Sequence, residues 1–179
     1  SKLKSKTMKL HIGGTEAHPE WKILDIEPRP EVDFIADAAN LQQFADNSIE
    51  AIYASHVLEH FYHGINNEVL NTMKEWYRVL QPGGKLFVSV PNLQTLCWLY
   101  TNPKLSVMEK FEIMAVIYGA QSNEYDVHKV GFDSDLLALL VGDAGFTDYS
   151  EVEEFGIFDD CSSYRIDNVL ISLNVIATK

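Results

Sequence analysis

The segment Ile49–Asn92 constrains the fold most. It runs from an apolar stretch, Ile49–Ala54, through Ser55-His56-Val57-Leu58-Glu59-His60 and a helical pattern to Pro82-Gly83-Gly84. A second apolar stretch, Lys85–Val90, follows and closes on Pro91-Asn92. Two short β-branched and aromatic runs joined through a helix read as buried parallel strands with a crossover helix. Within that helix Ile65, Val69, Met73, Trp76, Tyr77 and Leu80 recur at three- and four-residue intervals, so they share the face turned to the sheet. Pro82-Gly83-Gly84 then stops the helix and turns the chain. Small, polar and ionisable residues stand beyond the carboxyl end of both strands, where open α/β sheets bind their ligands.

The same alternation extends to both sides. Lys9–Ile12, Lys22–Ile26 and Val32–Ala36 are three further short strands, each bounded by Gly, Pro, Asn or Asp. Residues 93–131 break the pattern: they hold Trp98, Tyr100, Phe111, Tyr118 and Tyr125, predict a helix over Val107–Tyr118 and read as a lid or substrate insertion. Asp133 or Ser134 then caps a helix whose Leu136, Leu137, Leu140, Val141 and Ala144 share a face, and Gly145 ends it. Thr147–Phe155 and Leu170–Ala177 are the last two strands. Their irregular connection is too short for a helical crossover, which predicts an antiparallel pair at the sheet edge.

A chain of 179 residues suits one domain, 9–179, behind a short basic leader, 1–8, that has no apolar core of a secretory signal. The formal charge of −12 argues against nucleic acid as a partner, because phosphate backbones are held by Lys and Arg. No apolar run approaches the ~20 residues of a membrane span, so no membrane partner is expected. Cys97 and Cys161 lack any metal-ligand spacing, which fits reduced thiols in a cytoplasmic protein.

Several residues carry candidate chemistry. Lys9–Ile12 ends in Gly13-Gly14, where a missing Cβ lets backbone approach a ligand. Asp25 lies near the end of the next strand, placed to accept hydrogen bonds from a ribose diol or else to face solvent as an edge carboxylate. Asp37 follows the third strand and reads equally as an acceptor for the exocyclic amine of a purine or as the N-cap of a helix over Asn40–Phe44. His56-Val57-Leu58-Glu59-His60 fits the H-x-x-E-H pattern of inverted zinc peptidases. That pattern needs a helix throughout and a further carboxylate ligand, whereas this segment leaves a buried strand directly. It is therefore read as a strand-to-helix turn serving substrate orientation or proton transfer, or as histidines hydrogen-bonded beneath the insertion, and no metal is predicted. His128 closes the insertion and is placed to swing over the site.

The ordered set Leu10–Gly14, Trp21–Ile26, Ile35–Ala38, Ile52–His60, Val79–Gly84 and Gly145-Phe146 resembles the class I S-adenosylmethionine-dependent methyltransferases, closest to their type 11 group. The resemblance implies a Rossmann-like α/β fold: a mostly parallel seven-stranded sheet whose last strand is antiparallel. It implies S-adenosyl-L-methionine as cofactor, with Gly13 and Gly14 at the methionine portion, Asp25 and Ile26 at the ribose, and Asp37 with Ala38 at the adenine. Ser55 and His56 would close over the methionine end. Two departures stand out. His11 occupies the place of the family's acidic residue before the first glycine, and the Gly-x-Gly spacing is lost. Only nine residues, Gly13–Trp21, separate the first two strand cores, fewer than the roughly 10–12 of a helical parallel crossover. The first sheet helix is thus expected to be shortened or missing.

The expected reaction is methyl transfer to an oxygen or nitrogen of a small-molecule acceptor, with His60, His56 or His128 taking the proton of a hydroxyl. A sugar or nucleotide sugar is suggested by the associations of similar proteins and by no residue here. The alternative is a non-catalytic adenosyl-ligand-binding subunit, and the thinned cofactor wall leaves room for a homo-oligomer or partner subunit to complete the site.

Overall fold

The computed structural model describes residues 7–179. Residues 1–6, most of the expected leader, lie outside the described residues, and Met8 already belongs to the first strand. The strands are β1 (Met8–Ile12), β2 (Trp21–Asp25), β3 (Phe34–Ile35), β4 (Ile49–Ser55), β5 (Leu80–Pro91), β6 (Thr147–Val152), β7 (Arg165–Ile166), β8 (Val169–Leu170) and β9 (Ser172–Thr178). Seven of them form one sheet in the order β3-β2-β1-β4-β5-β9-β6, and β7 pairs with β8 in a separate hairpin. The pairs from β3 to β5 are parallel, and β9 runs antiparallel to both neighbours. This is the expected architecture, with β9 inserted between β5 and the edge strand β6.

Helices α1 (Glu68–Val79), α2 (Leu93–Tyr100), α3 (Val107–Tyr118) and α4 (Ser134–Asp143) complete the fold. The periodic face of α1 packs Val69, Met73, Trp76 and Val79 onto Leu10, Ile52, Leu86 and Val88 of the sheet. α4 brings Leu137 and Val141 into the same core, is capped by the Asp133 side chain, and is followed by Gly145 at φ 109°. α2 and α3 build a second small core from Leu96, Leu99 and Ile113, so the insertion is an ordered helical pair. The helix α2 was not foreseen in the sequence.

Four expectations are corrected. The third strand shrinks from Val32–Ala36 to two residues: only Phe34 and Ile35 are in ladder register, with Leu24 and Asp25, and single bonds from the Asp33 and Ala36 amides to the Ile23 and Asp25 carbonyls flank them. β5 begins at Leu80 and carries Pro82-Gly83-Gly84 as a bulge: Leu80 pairs Ile49, Lys85 pairs Ala51, and Gly83 at φ 78° takes the slack. The sixth strand ends at Val152, and Leu170 pairs in the hairpin, so that the last strand begins at Ser172.

No helix joins β1 to β2 through residues 13–20, nor β2 to β3 through residues 26–33. The sheet face opposite α1 is covered instead by the chain between β6 and β9, where Phe155, Ile157 and Phe158 lie on Trp21, Ala51, Tyr53 and Phe87. The Tyr53 hydroxyl fastens this cover by donating to Asp160 at 2.8 Å.

Candidate active site

β1 and β4 are neighbours in the sheet, while the chain runs outward from β1 to β2 and β3. This places a topological switch point between them, at whose carboxyl side a crevice forms. A cleft of about 610 Å³ occupies this position, within the usual range for small-molecule sites. Gly13, Asp25, Ile26, Asp37, Ala38, His56 and His60 line it, and residues 122–126 of the insertion form its far side. Gly14, Ser55 and His128 do not line it.

Local chemistry explains most of these placements. Gly13 has φ 73°, and a Cβ there would stand 3.1 Å from Val57, so the turn needs glycine both for its conformation and for its close approach. Gly14 serves a different neighbour: its Cβ would fall 2.4 Å from His11 Nδ1, so the glycine makes room for the His11 ring. His11 in turn stacks on Phe158 with ring centroids 4.0 Å apart. Asp25 accepts from the Glu27 amide at 2.9 Å and pairs with Arg29 at 3.0 Å, and the same guanidinium donates to the Gly14 carbonyl. Asp37 caps no helix. Residues 40–44 form turns, and Asp37 Oδ1 accepts from the Ala39 amide at 2.9 Å. The loop is pinned from below by Trp76, whose indole donates to the Ala38 carbonyl at 2.9 Å.

The H-x-x-E-H string leaves β4 as expected for a turn. His56 holds φ 55°, and only Leu58–His60 form a single 3₁₀ turn. A non-glycine residue in the left-handed region is uncommon, and here it aims the imidazole back to Ser172 Oγ at 2.7 Å. The Ser55 hydroxyl does not line the cleft and is buried without a partner. His60 Nδ1 lies 3.2 Å from the Val127 carbonyl and its ring meets that of His128 edge-on at 4.8 Å. His128 does not hang over the cleft. Its Nδ1 bonds the Val116 carbonyl at 2.8 Å and its side chain is buried behind His60. Gly119 permits this return of the chain, because a Cβ there would be 2.5 Å from the Asp126 carbonyl. Burial holds the His56 imidazole down at about 4 and also lowers His60 and His128. The same burial pushes Glu59 up to about 8. Sequence reasoning missed the Glu59–His128 proximity, since residues so far apart in the chain carry no local signal.

Residues 14–88 match the family model described as a methyltransferase domain, of the type 11 group. The chain carries a type 11 methyltransferase domain. It is 33% identical over 131 residues to a demethylmenaquinone methyltransferase of Renibacterium salmoninarum, covering 68% of this chain and 51% of that protein. The chain spans about half the length of the curated relatives it matches. Among solved structures it is similar to a SAM-dependent methyltransferase from Archaeoglobus fulgidus, with a TM-score of 0.59 and 14% identity over 97% of this chain and 86% of the other. A Burkholderia thailandensis 1,6-didemethyltoxoflavin-N1-methyltransferase gives a TM-score of 0.58 at 15% identity, over 97% and 71% of the two chains. At these identities the structural likeness speaks for the fold. No helix among the described residues is long and apolar enough to cross a membrane.

Proposed function

We propose that the domain binds S-adenosyl-L-methionine in the cleft and transfers its methyl group to an oxygen or nitrogen of a small acceptor. The observation that carries this reading is the charge of the cleft: Asp25, Glu27, Asp37, Glu68, Glu124 and Asp126 line it against the single cation Lys129. Such a lining favours a cationic sulfonium ligand and disfavours an anionic one. The donor set also fits the group. Gly13 keeps a side chain out of the narrow gap beside Val57 so that bare backbone fronts the cleft, Asp25 lines the cleft as the carboxylate for a ribose, and Asp37 keeps one carboxylate oxygen free for an adenine amine.

Bound S-adenosylmethionine supplies an electrophilic methyl group. The protein's part is to hold the acceptor in line with it, since such displacements gain most from proximity and orientation. For a hydroxyl acceptor, the neutral imidazole of His60 stands in the cleft wall to take the proton, while His56, which also lines the cleft, is engaged with Ser172. His128 lies one layer behind and supports His60. The acidic lining disfavours a nucleotide sugar with its diphosphate and favours an uncharged acceptor, a free sugar hydroxyl or a quinol-type ring such as the curated relatives' name implies.

A second reading, an adenosyl-binding subunit without turnover, is favoured by one observation: Arg29 already engages Asp25 and the Gly14 carbonyl. Purified protein with labelled cofactor and a panel of sugars, nucleotide sugars, quinols and small amines separates the two. The proposal expects label in an uncharged or cationic acceptor. Transfer to nucleic acid alone contradicts it, and cofactor binding without transfer to any acceptor supports the second reading.

A further inference from the structure

Behind the cleft wall, three imidazoles surround one carboxylate and offer it no proton. Glu59 is 1% exposed, and neither of its oxygens has a hydrogen-bond partner. A buried carboxylate ordinarily takes several donors or a cation. His128 Nδ1 and His60 Nδ1 both face backbone carbonyls, which only accept, so both Nδ1 atoms carry the ring proton. Each neutral ring is left with a lone pair on Nε2. His56 reaches the same state by another route. The Ser172 hydroxyl donates to the Cys161 carbonyl at 2.8 Å, so its oxygen accepts from His56 Nε2. The lone pair of His56 is then on Nδ1, 3.5 Å from Glu59 Oε1. His128 Nε2 stands 3.8 Å from the same oxygen. One ligating atom from each of Glu59, His60 and His128 lies within 4.8 Å of the others.

We propose that Glu59, His60 and His128 hold a divalent first-row transition-metal ion in the wall of the cleft, with His56 in the shell around it. The buried, partnerless atoms here are the two Glu59 oxygens. A single proton on Glu59 would serve one neighbouring lone pair, whereas a cation serves the carboxylate and the Nε2 atoms of His60 and His128 together. The two-nitrogen, one-carboxylate donor set suits Mn, Fe, Co, Ni or Zn better than Ca or Mg, which favour all-oxygen shells. Both candidate histidine ligands donate their other N–H to a backbone carbonyl, the arrangement that fixes the tautomer of metal-bound imidazole. Three protein ligands leave coordination positions open, and His60 lines the cleft, so the open side faces the acceptor. The ligand class admitted there is an oxygen donor, such as a hydroxyl of the acceptor. That last clause rests on the methyltransferase reading and turns His60 from a proton acceptor, and His128 from its support, into ligands; the ion itself does not depend on it.

The test is a titration of chelator-treated full chain with Co2+, followed by its visible d–d absorption. One equivalent is expected to saturate the wild type, and H60A, H128A and E59Q each to weaken binding at least 100-fold while far-UV circular dichroism stays native. H63A, at an exposed position outside the cluster, is expected to bind as wild type does. Because a cluster variant can misfold, the imidazole nitrogen spectrum of the wild type gives an independent reading: one equivalent of Zn2+ shifts the Nε2 signals of two histidines. Absence of a Co2+ spectrum, unmoved imidazole signals, or wild-type affinity in folded H60A and H128A overturns the site. S-adenosylhomocysteine calorimetry on the metal-free protein keeps the two readings apart. Binding there without any Co2+ site overturns the metal alone, and Co2+ binding without adenosyl binding leaves the ion standing while the cofactor reading falls.

Discussion

His11 illustrates how one residue can redirect a motif. At the place where the family resemblance leads one to expect an acid, this chain has an imidazole buried against Phe158 and Tyr53, with its Nδ1 lacking a partner. Burial depresses it to about 4 from its ordinary 6.5. The unfolded chain therefore binds a proton that the folded chain refuses between these values. The stability contributed by the neutral ring is complete above pH 6.5 and is lost as pH falls toward 4. Replacing the ring in H11F is expected to shrink the drop in melting temperature between pH 7.5 and pH 5, as read by calorimetry at both values; an unchanged drop contradicts this assignment. The pair Gly13-Gly14 was legible as a turn that must lack side chains. That Gly14 yields to His11, not to a ligand, was not legible, because the contact depends on where Phe158 returns from the far end of the chain.

At the scale of elements, α1 does more than fill the core. From its last two turns Glu75 accepts the Leu41 amide at 3.0 Å and Arg78 binds Glu75, Asp46 and the carbonyls of Leu41 and Phe44. These bonds hold the β3–β4 connection, which carries Asp37 and Ala38, although it has no helix of its own. The Arg78 partnership and the Leu41 amide hold the Glu75 carboxyl below its usual 4.5 despite partial burial. A carboxylate lowered on folding stabilises above its unfolded value and loses that contribution as pH falls through the folded one. E75Q is expected to cost about 1 kcal/mol at pH 7, or roughly 2–4 °C for a domain this size, and much less at pH 3.5. Thermal melts at both values check it. The helices α1, α3 and α4 were readable from apolar spacing and capping residues, whereas α2 was not: its apolar residues run almost unbroken, without the polar alternation that marks one face.

For the whole molecule, the parallel strands and the antiparallel pair at the sheet edge were legible from strand spacing and a short last connection, whereas the seven-stranded sheet came from the family resemblance and its strand order was not legible. The loss of the first sheet helix was also legible, from the count Gly13–Trp21. What replaces it was not: the β6–β9 connection covers the bare sheet face through Phe155, Ile157 and Phe158. Nothing local in that stretch announces a partner so distant in sequence. The consequence for function is a cleft wall made of turns, tied together by Arg29 across Gly14 and Asp25 and by Trp76 beneath Ala38. Whether that wall accepts an adenosyl group is the centre of the functional account. Isothermal titration calorimetry of the full chain with S-adenosylhomocysteine tests it most directly. The account predicts one binding site in the wild type and at least tenfold weaker binding in folded D25A; no heat in the wild type, or unchanged affinity in D25A, would contradict it.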